Sequence, residues 1–253
     1  MPYKILSLDA VAEYLHLTPE DLTQRAKCND IPHEKRGQRI VFSKDAVDLW
    51  ASQRLLGLPA KGLSEYHRKS IQHTRESLWN QSLLPELIRP AFIAPTLRAK
   101  TKSSVLRELV AVANATGHLI NAHELVAGLE ARETWGSTGM PGGFALPHPH
   151  AHDPYLFTNS FIVLGRTNQE IHFGAPDARP TSLFFLVCCP DDRLHLHLLA
   201  HICVMAQNTA MLSQLREAGD AATMLAAVLA AEAELLATST SGQCSATGLA
   251  NPD

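Results

Sequence analysis

The chain has 253 residues, of which 45% are hydrophobic and 19% are charged, and its formal net charge is −3 at pH 7. These values exclude an intrinsically disordered chain, and the length suits two modest domains or one large domain. Total charge does not indicate nucleic-acid binding, although residues 1–83 carry 12 Lys and Arg against 10 Asp and Glu, and residues 84–253 carry 10 against 15.

The sequence shows no stretch that approaches the length of a membrane span, and its start has no apolar signal region. The five cysteines lack zinc-finger spacing, and the adjacent Cys188 and Cys189 lie in an apolar run, where we expect them to act as small hydrophobic residues. The pattern predicts a cytoplasmic protein without membrane contact.

The first 54 residues predict short helices around a hairpin. Ser7 is positioned to cap one helix, and Thr18-Pro19 begins a second that runs to about Lys27. Two strands, 31–35 and 39–42, flank a basic turn, and Ser43 is positioned to cap a third helix.

This order resembles the winged helix-turn-helix of excisionase and MerR-type proteins, which implies a DNA-binding domain over residues 1–54. The second helix and the wing would then supply the DNA contacts, from Thr23, Gln24, Arg25, Lys27, Lys35, Arg36, Gln38 and Arg39. With so few cations one copy would bind DNA weakly, so useful affinity would need a homodimer or tandem sites. The alternative is that the domain serves protein contacts and that its basic hairpin is a solvated turn.

Residues 55–83 are predicted to be a connector containing a linker helix, since Gly57, Pro59 and Gly62 interrupt the preceding pattern. Residues 84–237 then alternate helix and strand signals. Ser103 or Ser104 is expected to begin one helix and Asn121 the next, and apolar runs predict buried strands at 157–164 and 182–189. Helices are predicted over 194–207 and 211–236 with a break at Gly219, followed by a disordered tail over 238–253.

Gly143-Phe144-Ala145-Leu146-Pro147-His148 is the most informative segment. A loop loosened by glycine leads into a short apolar strand, and a proline fixes how His148 is presented. We expect an uncharged imidazole held at the surface within reach of another protein.

This segment, with 132–139, 171–177 and 195–200, resembles the IIA proteins of the fructose, mannitol and nitrogen-regulatory branch of the bacterial phosphotransferase system. The resemblance implies an α/β sandwich with a central mixed sheet flanked by helices, covering residues 84–237. It also implies that His148 accepts a phosphoryl group from an HPr-like or NPr-like phosphocarrier, that His195 is the nearby second histidine, and that Arg132 supplies positive charge. No cofactor and no metal are expected, and the favoured function is a regulator that links phosphorylation to DNA binding and transcription.

Several alternatives stay open at this point. The domain could be a sugar-uptake phosphocarrier that passes phosphate to a IIB partner, or an interaction scaffold whose relay site is silent. His148, His150 and His152 alternate, which departs from the family pattern and is a zinc-ligand spacing that His195, His197 or His201 could join. A metal-dependent enzyme is therefore a further alternative, and the least favoured one. His195 could be an exposed histidine at a helix start, and Arg132 a surface residue paired with Glu130 or Glu133.

Overall fold

The computed structural model describes residues 4–73, 82–149 and 155–244. Residues 5–56 form three strands and three helices: β1 Ile5–Ser7, α1 Leu8–Tyr14, α2 Pro19–Lys27, β2 Glu34–Arg36, β3 Arg39–Ser43 and α3 Lys44–Leu56. The strands form one antiparallel sheet in the order β1-β3-β2. Strand β1 was not expected from the sequence, and the hairpin strand predicted at 31–35 begins instead at Glu34.

In this part of the chain, two of the three expected helix caps form a capping hydrogen bond. Ser7 Oγ accepts from the backbone N–H of Ala10 at 3.3 Å, and Thr18 Oγ1 accepts from that of Asp21 at 3.1 Å. Ser43 occupies the cap position of α3 without a side-chain capping bond. Each satisfied cap removes one of the unpaired donors at a helix start, which contributes about 1 kcal/mol.

The connector contains helix α4, Ala60–His73, in agreement with the predicted linker helix. The second half of the predicted connector, residues 74–81, lies outside the described residues. Helix α4 packs against the C-terminal part of the chain, because Leu63 is fully buried in a core cluster that includes Leu198 and Ile202.

The C-terminal part begins at Leu84 and alternates strands and helices. Its elements are α5 Leu84–Leu87, β4 Ile93–Leu97, α6 Lys102–Ala115, α7 Ala122–Thr134, β5 Gly139–Met140, β6 Phe144–Ala145, β7 Phe161–Ile171, β8 Thr181–Cys188, α8 Asp192–Asn208, α9 Met211–Glu217 and α10 Ala221–Cys244. Helix α6 is capped by Thr101, not by Ser103 or Ser104, since Ser104 forms the return half of a capping box with Thr101. Helix α10 continues to Cys244, past residue 238 where the tail is predicted to begin, and residues 245–253 lie outside the described residues.

Five strands form a mixed sheet in the order β4-β7-β8-β6-β5, with helices on both faces. Alternation along β8 explains the two layers. Leu183 and Phe185 point into a core shared with α8, α9 and α10, whereas Phe184 and Leu186 point into a core shared with α6 and α7. The mixed sheet flanked by helices confirms the architecture predicted for this part of the chain. Cys188 and Cys189 are free and fully buried, as expected for small hydrophobic residues.

The expectation that no segment approaches the length of a membrane span is wrong, because helix α10 is long and apolar enough. Its residues Ala221–Thr238 have a mean hydropathy of 1.5 and meet the length and composition criteria for a span. The same criteria are met by core helices of folded proteins, and α10 packs Met224, Val228 and Leu235 into the core. Glu232 in this segment is 1% exposed and accepts hydrogen bonds from the backbone N–H groups of Leu83 and Leu84.

The N-terminal module and the C-terminal sandwich pack directly on each other through α8. Leu196 of α8 belongs to the core of the N-terminal module, alongside Leu15 and Ala51. Lys44 at the start of α3 binds Asp192 of α8 at 2.8 Å, and Arg193 binds Glu13 of α1, also at 2.8 Å. The first turn of α8 is therefore an interface between the two parts of the chain.

Candidate functional site

The β5–β6 hairpin and the segment after it position His148. The loop Pro141-Gly142-Gly143 reverses the chain, and both glycines have positive φ angles, 97° and 76°, which side chains rarely tolerate. Strand β6 then pairs in parallel with the central strand β8. The backbone N–H of Val187 in β8 donates to the carbonyl of Pro147 at 3.0 Å, which anchors the segment that ends in His148.

Hydrogen bonds define the protonation state of the His148 ring. Its Nδ1 lies 2.8 Å from the carbonyl oxygen of Leu146, which can only accept, so Nδ1 carries the hydrogen. The Nε2 atom accepts a hydrogen bond from Nε of Arg132 at 3.1 Å. The imidazole is therefore the neutral Nδ1–H tautomer, and its nucleophilic lone pair is on Nε2, next to a guanidinium.

Arg132 is held in place from both sides. It lies in the last turn of α7, is 1% exposed, and donates from Nη1 to the carbonyl of Gly136 at 2.9 Å. Burial lowers the pKa of the Arg132 guanidinium, and the adjacent Glu133 opposes that shift. An arginine remains charged in such surroundings, so the site contains a fixed, partly desolvated cation.

Glu133 organises the loop that follows Arg132. Its carboxylate accepts from the Thr138 hydroxyl and from the Thr138 backbone N–H at 3.2 Å, and it binds Lys102 Nζ at 2.6 Å. These contacts fix residues 136–138 beside the histidine. Arg132 is thus neither exposed nor paired with Glu130, and the alternative of a salt-bridged surface arginine is not supported.

His195 lies next to His148, the position that the family resemblance implied for the second histidine. The centroids of the two rings are 5.0 Å apart and the ring planes are 60° to each other. His195 is in the first turn of α8, which Asp191 caps by accepting from the Leu194 N–H at 2.7 Å. The positive end of the helix dipole points toward this region. His195 is 0% exposed, so it is not the exposed helix-start histidine of the alternative interpretation.

The expectation of a surface-accessible imidazole is wrong for this conformation. His148 is 1% exposed and its partners Arg132 and His195 are no more accessible. Sequence reasoning placed the three residues together but gave no information on what packs over them. The neighbouring Trp135, by contrast, is 62% exposed.

The N-terminal module contacts the edge of this site. Gln53 of α3 donates from Nε2 to the carbonyl of Trp135 at 2.8 Å, one residue before the Gly136 carbonyl that binds Arg132. A cleft of about 510 Å³ between α3 and this loop is lined by Trp50, Gln53 and Trp135, among others. A short path of contacts therefore links α3 to Arg132 and His148.

The predicted zinc-ligand spacing cannot be followed beyond His148, because His150 and His152 lie outside the described residues. The described residues do contain a group of three histidines whose ligand atoms converge, but its members are His67, His197 and His201. His197 and His201 were considered only as additions to the 148–152 segment. His67 was missed, since a single histidine in a polar connector helix carries no sequence signal.

The residues predicted to contact DNA divide into two groups. Six of them are exposed, namely Gln24, Lys27, Lys35, Arg36, Gln38 and Arg39, and Thr23 is partly exposed beside Gln24 and Lys27. Arg25 differs, because its guanidinium binds Asp30 at 2.6 Å and lines a cleft between the N-terminal module, α4 and α8. Arg36 is partly neutralised by Glu34 at 3.1 Å. Arg25 therefore faces inward rather than toward a DNA groove.

A protein-family model described as the phosphoenolpyruvate-dependent sugar phosphotransferase system, EIIA 2, matches residues 86–231. The chain is 31% identical over 141 residues to the nitrogen regulatory protein of Bradyrhizobium diazoefficiens, covering 54% of this chain and 89% of that protein. It is 26% identical over 137 residues to the fructose-specific EIIABC component of Bacillus subtilis, covering 53% of this chain and 21% of that protein.

Among solved structures, the fold is similar to that of the nitrogen regulatory protein IIA-Ntr from Neisseria meningitidis. The TM-score is 0.50 and the sequence identity is 23%, and the match covers 58% of this chain and 99% of that one. The residues that the family model matches, 86–231, lie within the range of 84–237 that the motifs predicted.

Proposed function

The chain belongs to the EIIA 2 family of the phosphotransferase system, and from that premise we propose that it is a phosphorylation-dependent regulator whose acceptor is Nε2 of His148. A phosphocarrier of the HPr or NPr type would be the donor. The observation that carries the proposal is the hydrogen bond from Arg132 to the lone-pair nitrogen of a neutral His148 ring, with His195 adjacent.

The chemistry follows from these contacts. The Nε2 lone pair forms a bond to phosphorus while the N–P bond of the donor phosphohistidine breaks, and the donor imidazole leaves with the bonding electrons. Positive charge that develops on the His148 ring is stabilised by the Leu146 carbonyl at Nδ1. Arg132 and the N-terminus of α8 oppose the negative charge of the phosphoryl oxygens. Transfer between two imidazoles is close to balanced in energy, so positioning is the main requirement.

The burial of His148 supports a regulatory role, because the residue must be exposed before it can be phosphorylated. A donor protein cannot reach a ring that is 1% exposed, so the structure corresponds to a closed state. The N-terminal module contacts the same edge through the bond from Gln53 to Trp135 and through the Lys44–Asp192 ion pair. We propose that opening at this edge precedes phosphorylation, and that a phosphorylated His148 then disfavours reclosure because a dianion occupies the closed site.

We further propose that the N-terminal module binds DNA and that its accessibility changes with the phosphorylation of His148. The exposed cations of the β2–β3 hairpin, including Lys35 and Arg39, support this proposal, as does the winged-helix-like order of its elements. The relative from Bradyrhizobium diazoefficiens bears the name nitrogen regulatory protein, which favours a regulatory role over sugar uptake.

Incubation with phosphoenolpyruvate, enzyme I and an HPr-type carrier tests the acceptor. We expect one phosphoryl group per chain, labile in acid as phosphohistidine is, and no label in a His148→Ala variant. His172→Ala is the matched control, since His172 is exposed on the same domain. Full labelling of His148→Ala would refute the site assignment.

DNA binding is tested separately by selection from a random-sequence DNA pool. A Lys35→Ala/Arg39→Ala variant should lose binding, whereas Arg25→Ala should bind normally because Arg25 is paired with Asp30 away from the exposed wing. Absence of selection with the unmodified chain, in both phosphorylation states, would contradict a DNA-binding function.

A sugar phosphocarrier is the second candidate, favoured by the match to the fructose-specific EIIABC component of Bacillus subtilis. In that case the phosphorylated chain would transfer its phosphoryl group to a IIB domain. Rapid loss of label from His148 on addition of a fructose-type IIB domain would support this candidate, and retention of the label would support the regulator.

A further inference from the structure

We propose that His67, His197 and His201 form a binding site for one Zn²⁺ ion, which fastens the connector helix α4 to the C-terminal sandwich. His197 and His201 are four residues apart and so share one face of α8. His67 reaches them from α4, with ring centroids 5.2 Å and 5.0 Å away. The site lies outside the His148 centre and involves none of its residues.

The spacing of the nitrogens fits a tetrahedral ion. One ligand nitrogen from each ring lies within 4.8 Å of the other two, and Nε2 of His67 is 2.8 Å from Nδ1 of His201. Zinc bound to imidazole at about 2.0–2.1 Å keeps its ligand nitrogens about 3.4 Å apart. The ring planes are now 19° to 31° from parallel, so the rings must turn about their side-chain torsions for all three lone pairs to point at one ion.

The outer contacts of the rings orient the inner nitrogens. Nε2 of His201 lies 3.2 Å from Oε1 of Glu232, and an ionised carboxylate can only accept, so His201 has its hydrogen on Nε2 and its lone pair on Nδ1. Nδ1 of His197 lies 2.8 Å from the hydroxyl of Ser70, which itself donates to the carbonyl of His67 at 2.7 Å. His197 therefore has its hydrogen on Nδ1 and its lone pair on Nε2. A carboxylate behind a ligand histidine is the usual arrangement in zinc sites.

Glu232 is itself fixed for this role. Its carboxylate accepts hydrogen bonds from the Ser82 hydroxyl and from the backbone N–H groups of Leu83 and Leu84. These contacts hold Oε1 of Glu232 against Nε2 of His201. His67 can bind through Nε2 once its hydrogen moves to Nδ1, so this rearrangement releases no net proton.

Zinc binds an imidazole through a nitrogen that carries no hydrogen. All three rings are buried, and each has a ligand nitrogen near those of the other two. At 5%, 2% and 3% exposure the residues His67, His197 and His201 have no open path to substrate, which fits a structural ion and not a catalytic one.

Titration of the chelator-treated full chain with Co²⁺ tests the site, because tetrahedral cobalt with nitrogen ligands absorbs in the visible range. We expect saturation at one equivalent, and an increase in thermal stability on adding Zn²⁺. His67→Ala and His201→Ala should each lose the absorption. His123→Ala, an exposed histidine on α7, should keep it. A His150→Ala/His152→Ala variant should also keep it, which separates this site from the histidines after His148.

Loss of the Co²⁺ signal in the His150→Ala/His152→Ala variant, or its survival in His67→Ala, would overturn the proposal. If the His67 and His201 variants fail to fold, X-ray absorption of the zinc-loaded His150→Ala/His152→Ala chain decides the matter. Three imidazole nitrogens around zinc would support the site, and fewer than three, or no bound zinc, would exclude it.

Discussion

Arg132 Nε and His148 Nε2 are the two atoms on which the proposed chemistry depends. In the closed state they form a hydrogen bond 3.1 Å long, so the nucleophilic lone pair is occupied by a donor. Transfer of a phosphoryl group requires this bond to break, after which the same guanidinium can bind a phosphoryl oxygen. In the proposed mechanism the arginine therefore protects the nitrogen before transfer and stabilises the charge during transfer.

We therefore predict that Arg132→Lys slows phosphorylation of His148 on the order of a hundredfold, the usual effect of losing one preorganised donor. Lysine keeps the charge but lacks the planar fork that reaches both His148 and the Gly136 carbonyl. The measurement is the initial rate of labelling at saturating donor. Arg107→Lys, an exposed arginine on α6, is the control, and a rate for Arg132→Lys within twofold of that control would contradict the assignment.

The residue-level prediction from sequence succeeded where local motifs carry the information. The loop glycines, the proline before His148 and the first-turn position of His195 are visible in the chain, and the structure brings Arg132, His148 and His195 together. Burial of His148 was not visible, because it depends on packing between segments far apart in sequence. His67 was missed for the same reason, since its partner His201 is 134 residues away.

At the scale of elements, β7 shows that an apolar run in the sequence predicts a buried segment more reliably than it predicts the ends of a strand. The sequence predicted a strand at 157–164, but β7 is Phe161–Ile171 and includes the polar segment from Arg166 to Glu170. Pairing with β8 is irregular after Arg166 and resumes at Ile171, and the side chains of residues 168–170 between them are exposed. An apolar pattern in the sequence therefore does not predict this part of the strand. Strand β1 was not predicted because its three residues form a strand only by pairing with β3, 36 residues later in the chain.

Gly165 in β7 is a position where the packing of two elements leaves no room for a side chain. A Cβ there would lie 2.5 Å from Leu97 Cδ1 of β4 and 2.8 Å from Leu109 Cδ2 of α6. Both leucines are buried, so they can give way only by disturbing the core. We predict that Gly165→Ala destabilises the chain by about 1–3 kcal/mol in chemical denaturation. Gly219→Ala is the control, since nothing lies within 4 Å of its added Cβ, and equal stability of the two variants would contradict this packing argument.

At the scale of the whole molecule, we expect the interface between the N-terminal module and α8 to control access to His148. The Glu13–Arg193 pair crosses this interface with a separation of 2.8 Å and both side chains are largely exposed. Such pairs contribute about 0–1 kcal/mol, so altering one shifts the closed state modestly without unfolding either part.

We predict that Glu13→Arg raises the rate of His148 phosphorylation by up to about fivefold, because like charges then oppose closure. The double variant Glu13→Arg/Arg193→Glu restores the opposite charges and should return the rate to that of the unmodified chain. The measurement is labelling by the HPr-type carrier at low ionic strength, where surface charges are least screened. An equal increase in the double variant would show that the interface charge is not responsible.

Three consecutive residues of α8 face three different surroundings. His195 lies beside His148, Leu196 belongs to the core of the N-terminal module, and His197 lies in the three-histidine cluster. Successive positions on a helix point about 100° apart, so the first turn of α8 contacts all three surroundings. A small rotation of α8 about its own axis would therefore change the contacts of all three residues. The imidazole NMR signals of His195 and His197 would then shift together.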